Sequence, residues 1–184
     1  KGHITIGGVD PYQLTAESRR RLIGIVPQTV HLFNGTIHDN ITLRDPEISR
    51  QQVEKALATV GLWDVVQTLP RKLDTVIGEG EGKLSFGQTQ LLSLARAIVT
   101  EPPLLLLDEL TSGLDAITEK QVLAAIRKVS TNRTIITISH RLSGIIDADT
   151  VHIMERGRIM ESGSPEQLAR KEGWYSIYKR LEDR

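Results

Sequence analysis

The chain has 184 residues, and its 23 Lys and Arg balance 23 Asp and Glu to give a formal net charge of zero. Its 39% hydrophobic and 25% charged residues are typical of one large globular domain, not of a disordered or membrane-embedded chain. The absence of cysteine excludes disulfide scaffolds, thiolate zinc sites and cysteine nucleophiles. The balanced charge argues against a nucleic-acid partner.

The first 100 residues predict two short strands followed by helices. The strand over residues 4–6 leads into a turn at 7–10, and the strand over 23–26 ends at Pro27. Apolar residues at helical spacing predict helices at 36–41, 50–60, 65–69 and 86–100. Residues 73–83 carry three glycines and predict a loop.

From residue 101 onward, strands alternate with helices. Strands are predicted at 104–107, 134–138 and 151–154, helices at 116–129 and 142–146, and a helical tail at 165–184. Alternation predicts a parallel sheet in an α/β domain, and continuous apolar runs in two of these strands predict cover on both faces. The predicted organisation is therefore an α/β core, residues 1–30 and 101–184, with a helical subdomain, residues 31–100, inserted into it.

Two carboxylates follow the apolar strand at 104–107 directly. Ligands of open α/β sheets bind at the carboxyl ends of the strands, and paired acids there favour a cation such as Mg²⁺. Asp108 would hold the metal, and Glu109 would orient or deprotonate a water molecule. The alternative is a strand that simply runs into an acidic, solvent-exposed turn.

Further polar residues stand at the starts of helices and after strands. Ser85 and Gln88 have the spacing of a capping box, and the helix N-terminus behind them suits a phosphate that the backbone of Gly87 could approach. An ordinary capped helix is the alternative. Gln28 and His140 each follow a predicted core strand, although either could be an unremarkable surface residue.

Taken in order, these stretches resemble the motifs of an ABC-transporter ATPase domain. The matching stretches are Pro27-Gln28 (Q-loop), residues 84–88 (signature motif), 104–109 (Walker B strand with its catalytic Glu), 112–115 (D-loop) and 139–141 (switch histidine). Residues 35–41, 75–79 and 138–143 resemble exporters in particular. The resemblance implies a P-loop NTPase core of the ABC type, partial here, with its helical subdomain inserted.

The resemblance also implies a role for each residue. Gln28 would contact Mg²⁺ and the attacking water, and Asp108 would help hold Mg²⁺. Glu109 would be the general base or the acid that orients the water, and His140 would contact the γ-phosphate of ATP. In the family two such domains meet head to tail. Ser85, Gly87 and Gln88 would therefore serve the ATP of a second ABC ATPase domain, and Asp115 would lie at the dimer interface. The other implied partners are the transmembrane domains of a transporter, which place the module at the cytoplasmic face of a membrane.

The chain departs from the family pattern in three places. The pattern G-x-x-x-x-G-K-[ST], the Walker A loop that chiefly binds nucleotide, does not occur in the sequence. In the family this loop lies upstream of the stretch that matches Lys1, so the chain resembles the module without its N-terminal βα unit. Phe86 stands where the family has a small residue, and Glu81 stands near a usual glycine.

We expect from the missing loop that this chain alone binds ATP poorly, does not hydrolyse it, and self-associates through exposed sheet edges or surfaces. Two other functions remain open. One is a soluble ABC-type ATPase of repair or translation, against which the exporter-like loops argue. The other is a non-catalytic binding or regulatory fragment, which would have little use for Glu109 or His140.

Overall fold

The computed structural model describes residues 2–77, 83–145 and 147–182. Contacts between its Cα atoms divide the chain into two compact units, Lys1–Ile136 and Thr137–Arg184. Part of the predicted loop at 73–83 and the departure at Glu81 lie outside the described residues, as do Gly78 and Glu79 of the exporter-like stretch.

In the part of the first unit that the structure describes, six α-helices carry most of the core. They are α1 Ala16–Leu22, α2 Ile37–Thr42, α3 Arg50–Val60, α4 Trp63–Thr68, α5 Phe86–Ile98 and α6 Ala116–Val129. The side chains of Thr15, Thr36, Ser49, Ser85 and Asp115 each cap a helix by accepting a backbone N–H. Gly61 ends α3 in the left-handed conformation that glycine adopts without a steric cost. Short 3₁₀ helices lie at Pro11–Gln13 and Lys72–Asp74.

Three of the strands form one sheet. They are β1 Ile23–Val26, β4 Leu104–Asp108 and β5 Thr134–Ile138, in the order β1-β4-β5. β1 and β4 are parallel, with Val26 opposite Leu107, which confirms the α/β class. β2 Gly35–Thr36 and β3 Val76–Ile77 form a separate antiparallel pair.

The predicted strand at residues 4–6 is wrong. Among the described residues this stretch makes only a single antiparallel bridge, between Ile6 and Val9. Gly7 and Gly8 form the tight turn with φ values of 57° and 82°. The backbone of this segment pairs with no other strand among the described residues, and an isolated two-stranded hairpin is only marginally stable in water.

The sheet of the first unit is covered on one face by described residues. Val26, Leu105 and Leu107 are buried in the same core cluster as Leu92 and Leu94 of α5. On the other face Ile25 is 56% exposed, and Ile136 of β5 is 54% exposed. β4 follows the expectation of a buried strand, whereas β5 alternates between partly buried and exposed residues.

The second unit is built around a hairpin that the alternation of strands and helices does not predict. β6 Val151–Glu155 pairs antiparallel with β7 Arg158–Gly163, a strand that sequence analysis missed because most of its residues are polar or exposed. Arg156 and Gly157 both have positive φ, as a two-residue hairpin turn requires. The remaining elements are a 3₁₀ helix at Leu142–Gly144, α7 Pro165–Arg170 and α8 Trp174–Glu182.

Val151, Leu168 and Tyr175 form the small core of the second unit. None of the helices in the described ranges 2–77, 83–145 and 147–182 combines the length and apolarity needed to cross a membrane.

Candidate active site at the carboxyl edge of the sheet

Gln28 and Glu109 meet at the carboxyl edge of β1 and β4. Val26 is opposite Leu107 in the parallel pair, so the chain leaves both strands at the same edge of the sheet, and Gln28 and Glu109 lie there. Gln28 Nε2 donates a hydrogen bond of 2.8 Å to Glu109 Oε2 across a sequence separation of 81 residues. The structure therefore brings together two residues that sequence analysis selected for separate reasons.

The direction of this hydrogen bond follows from the chemistry of the two groups. An ionised carboxylate only accepts, so the NH₂ group of Gln28 must face Glu109 and the amide oxygen Oε1 points elsewhere. That oxygen has the donor type that Mg²⁺ prefers. One side chain can thus orient Glu109 with its nitrogen and offer an oxygen to a cation.

The backbone at Glu109 is strained. Its φ is 47°, in the left-handed region that costs a residue with a Cβ roughly 1–2 kcal/mol. Strain of this kind concentrates at functional sites, where the surrounding structure enforces it. The conformation ends β4 abruptly and directs the Glu109 side chain to Gln28.

Asp108 is the last residue of β4 and is partly buried. Residues of a strand alternate between its faces, so Asp108 shares the face of Leu106 and Ile25. Among the described residues no group of three His, Cys, Asp or Glu side chains could hold a metal. The donor set of Asp108 with the Gln28 amide oxygen fits Mg²⁺, which is commonly bound by one or two carboxylates together with water and substrate phosphates.

Ser85 and Gln88 form the predicted capping box. The Ser85 hydroxyl oxygen accepts the Gln88 N–H at 3.2 Å, and Gln88 Oε1 accepts the Ser85 N–H at 2.9 Å. Both side chains are therefore engaged within the first turn of α5. The intervening Phe86 side chain is 56% exposed, with its ring beside Gly113.

Gly87 is buried where α5 contacts the start of α6. A methyl group added at Gly87 would overlap Cγ2 of Thr118. In this structure the close approach that requires glycine is therefore a helix–helix contact. Thr118 is a residue that sequence analysis missed, because its spacing from Gly87 carries no local signal.

Asp115 caps α6 and is tied to the same threonine. Its Oδ2 accepts the Thr118 hydroxyl at 2.6 Å, and its Oδ1 accepts the backbone N–H groups of Ile117 and Thr118. These bonds, above all the one from the Thr118 hydroxyl, hold the pKa of the Asp115 carboxyl below its usual range. The helix start at Ser85 and the helix start at Asp115 are thus joined through Gly87 and Thr118.

His140 belongs to the second unit and is exposed. It lies in a turn that Ser139 stabilises, since the Ser139 hydroxyl accepts the Arg141 N–H at 3.0 Å and donates to the Arg141 carbonyl at 2.8 Å. Its role at a γ-phosphate stays a prediction.

Comparison with known proteins identifies the family. The model of the family described as ABC transporter matches residues 1–112. The chain belongs to the ABC transporter family. This ABC chain is 41% identical over 182 residues to an ATP-dependent lipid A-core flippase of Albidiferax ferrireducens, which covers 98% of the chain and 31% of the flippase.

Two other relatives are exporters by name. An ATM1-type heavy metal exporter of Novosphingobium aromaticivorans is 43% identical over 176 residues, covering 96% of the chain and 29% of that protein. The solved structure of a bacterial Atm1-family ABC exporter with ATP bound superposes with a TM-score of 0.85 at 41% identity, covering 99% of this chain and 32% of that one. The ABC chain thus spans about a third of the length of the relatives it matches, and its fold is that of an exporter nucleotide-binding domain.

Proposed function

We propose that this chain is part of the ATP-binding and ATP-hydrolysing domain of an exporter-type ABC transporter, in which ATP hydrolysis drives transport across a membrane. The observation that carries the proposal is the hydrogen bond between Gln28 and Glu109 at the carboxyl edge of β1 and β4. A pre-oriented carboxylate beside an amide that can bind a cation is the arrangement that water activation requires.

Each residue at this edge has one task. Glu109 accepts the proton of the attacking water, and Gln28 holds the Glu109 carboxylate in place with Nε2. Asp108 and the Gln28 amide oxygen hold Mg²⁺ of the Mg-ATP substrate. When bound, the ion neutralises charge on the phosphate oxygens.

The helix starts at Ser85 and Asp115 serve a second ATPase domain in this proposal. The first-turn N–H groups of α5 face an anionic phosphate favourably, and Ser85, Gly87 and Gln88 shape that surface. Asp115 lies at the interface with the second domain, which is either an identical or a different chain. His140 contacts the γ-phosphate.

The remaining parts of the proposal concern the assembly. Residues 1–30 and 101–184 are the ATPase core and residues 31–100 the helical subdomain. The partners are a second ABC ATPase domain and transmembrane domains, which place this domain at the cytoplasmic face of the membrane. The exporter names of the relatives support this assembly.

The test compares ATP hydrolysis by two polypeptides. The 184-residue chain, in which the G-x-x-x-x-G-K-[ST] pattern does not occur, should show no turnover. The same chain joined at its N-terminus to a segment that carries this pattern should hydrolyse Mg-ATP. In that second polypeptide Glu109→Gln should lower kcat at least about a hundredfold, the range expected for loss of a general base.

Glu101→Gln is the matched control. Glu101 is also a glutamate in the left-handed region, with a φ of 52°, and its carboxylate also has a partner, Lys55. We expect Glu101→Gln to keep the wild-type kcat. Equal losses in both variants, or none in Glu109→Gln, would contradict the proposed role of Glu109.

A further inference from the structure

The segment that follows Gln28 runs from β1 to β2 as irregular chain, residues 27–34. Gln28 lies near its start, and its side chain is exposed. Strand pairing fixes the backbone only as far as Val26, opposite Leu107. Another contact must therefore define the course of the segment if the Gln28 amide is to reach Glu109.

Arg96 of α5 supplies such a contact. Its Nη1 donates to the His31 carbonyl at 3.1 Å, three residues after Gln28. Its Nε donates to the Asn40 carbonyl at 2.6 Å, and its Nη2 donates to Asn40 Oδ1 at 3.2 Å. The guanidinium thus ties the irregular segment to helix α2.

Asn40 extends the connection back into the same segment. It is fully buried, its Oδ1 accepts the Phe33 N–H at 3.1 Å, and its Nδ2 donates to the carbonyls of Phe33 and Thr36 at 3.0 and 3.1 Å. Every hydrogen bond from Arg96 and Asn40 to the stretch 31–36 ends on its backbone, so the network fixes the course of the chain itself.

The helix that carries Arg96 is itself fixed against β1. A methyl group added at Gly24 of β1 would overlap the Ala97 carbonyl oxygen, so the strand and the helix are in direct backbone contact one residue from Arg96. The segment after Gln28 is therefore held by two rigid elements. β1 fixes its start, and α5 holds it at His31 through Arg96.

The charge of Arg96 has no acidic partner among the described residues, since its three acceptors are two backbone carbonyls and an amide oxygen. Partial burial without a counter-ion lowers the pKa of this guanidinium. A cation in such a place costs free energy that an apolar residue would not, so stability alone does not account for it. The planar guanidinium binds the three acceptors with three separate nitrogens. The three donors of lysine lie on one nitrogen and cannot reach acceptors that are spread in this way.

We propose that Arg96 is a positioning residue, which through His31 and Asn40 holds the segment 28–36 so that the Gln28 side chain reaches Glu109. The consequence for ATP hydrolysis rests on the function proposed above, whereas the positioning itself does not. Arg96 then connects the helix that starts at Ser85 with the edge where Glu109 lies.

The direct test is the nuclear magnetic resonance signal of the Gln28 side-chain NH₂ group in the 184-residue chain. Wild type and Glu109→Ala, which removes the acceptor, define the bound and the free positions of this signal. Arg96→Lys should move it more than halfway to the free position. An unchanged signal in a folded Arg96→Lys variant would overturn the proposal.

Arg133→Lys is the matched control. Arg133 also binds backbone carbonyls, those of Pro102 at 3.2 Å and Val129 at 2.9 Å, but none in the stretch 28–40. We expect the Gln28 signal of Arg133→Lys to stay at the wild-type position. A shift equal to that of Arg96→Lys would mean a general loss of packing and would also overturn the proposal.

Asn40→Asp covers the case in which Arg96→Lys does not fold. It keeps an acceptor for Arg96 and for the Phe33 N–H, loses the two bonds that Nδ2 donates, and places a carboxylate oxygen against the carbonyls of Phe33 and Thr36. Its Gln28 signal should move in the same direction by a smaller amount, and no movement would contradict the proposal.

Turnover separates this proposal from the proposed function. In the polypeptide supplied with the G-x-x-x-x-G-K-[ST] segment, Arg96→Lys should lower kcat about tenfold, as expected for a misplaced group. If the Gln28 signal moves and kcat does not, Arg96 positions Gln28 but Gln28 has no part in hydrolysis. If kcat falls while the signal stays, the positioning role is wrong.

Discussion

The two places where predicted site residues gather are built in different ways. At the edge of β1 and β4, residues far apart in sequence form one hydrogen bond next to a strained backbone, Gln28 to Glu109. At the starts of α5 and α6, neighbouring residues satisfy one another through the capping interactions of Ser85 and Asp115. The strained backbone at Glu109 lowers stability locally, whereas the two helix caps raise it.

This difference in stability follows from the different tasks of the two places, proton transfer at Glu109 and an ordered helix start at Ser85. A strained, partly exposed carboxylate is what proton transfer needs, and the fold must enforce it. A well-capped helix start holds its backbone N–H groups in a fixed array, and this order is useful for binding a phosphate without any strain. Substitutions at the two places should therefore change stability in opposite directions.

The largest expected effect is at Gly87. Gly87→Ala would drive a methyl group into Thr118 and should lower the free energy of unfolding by about 2 kcal/mol, measured by urea unfolding. Thr118→Ser removes the methyl group that Gly87→Ala would strike and keeps the hydroxyl that donates to Asp115. The double variant should recover most of the loss, and a loss that persists would contradict this explanation of Gly87.

Glu109→Gly should change stability in the opposite direction. Glycine adopts a φ of 47° without the penalty of a Cβ, so the free energy of unfolding should rise by about 1 kcal/mol. The polypeptide with the G-x-x-x-x-G-K-[ST] segment should lose its turnover with the same substitution. Glu101→Gly, at a φ of 52°, should also stabilise but leave turnover intact. Destabilisation relative to Glu109→Ala, which loses the same hydrogen bond from Gln28, would mean that the backbone there is not strained.

Ser85→Ala sharpens the distinction between a cap and a binding residue. Loss of the cap should lower the free energy of unfolding by about 1 kcal/mol. Ser49→Ala removes the same type of capping box from α3 and should have the same effect on stability. Only Ser85→Ala should also reduce ATP turnover. Equal turnover in the two variants would leave Ser85 as a helix cap alone.

The smallest expected effect depends on pH. The backbone N–H of Thr36 and the other interactions of Asp39 hold the pKa of its carboxyl below the ordinary value of 3.8. A lowered pKa in the folded state stabilises the protein above pH 3.8 and ceases to do so as the pH falls through the folded value. Asp39→Asn should therefore cost about 0.5 kcal/mol at pH 7, and the difference should shrink as the pH falls below 3.8. A difference independent of pH would contradict the assignment.

Sequence analysis predicts well what local chemistry determines. The capping box at Ser85, the cap at Asp115 and the acids that end β4 follow from spacing alone, and Gln28 is found because it follows a strand. The parallel pairing of β1 with β4 follows from strands alternating with helices. The structure confirms these elements.

The remainder depends on contacts between distant parts of the chain. Nothing in the spacing around Arg96 says that its guanidinium binds the carbonyls of His31 and Asn40, and nothing near Gly87 points to Thr118. β7 escapes prediction because its sequence is polar, and the exposed face with Ile25 and Ile136 cannot be told from a buried one by residue type. The one signal that could have drawn attention to Arg96 is its position between two alanines, Ala95 and Ala97, which are both buried in α5.

A double-mutant cycle on kcat for Mg-ATP tests the central claim, that Gln28 and Glu109 act as a unit. In the polypeptide supplied with the G-x-x-x-x-G-K-[ST] segment, Gln28→Ala should lower kcat about tenfold, and Glu109→Gln should lower it about a hundredfold or more. If Gln28 acts mainly through Glu109, Gln28→Ala should slow the Glu109→Gln variant by much less than tenfold, and what remains is the loss of the amide oxygen that holds Mg²⁺. Losses that multiply fully would show that the two residues act independently and would contradict the account.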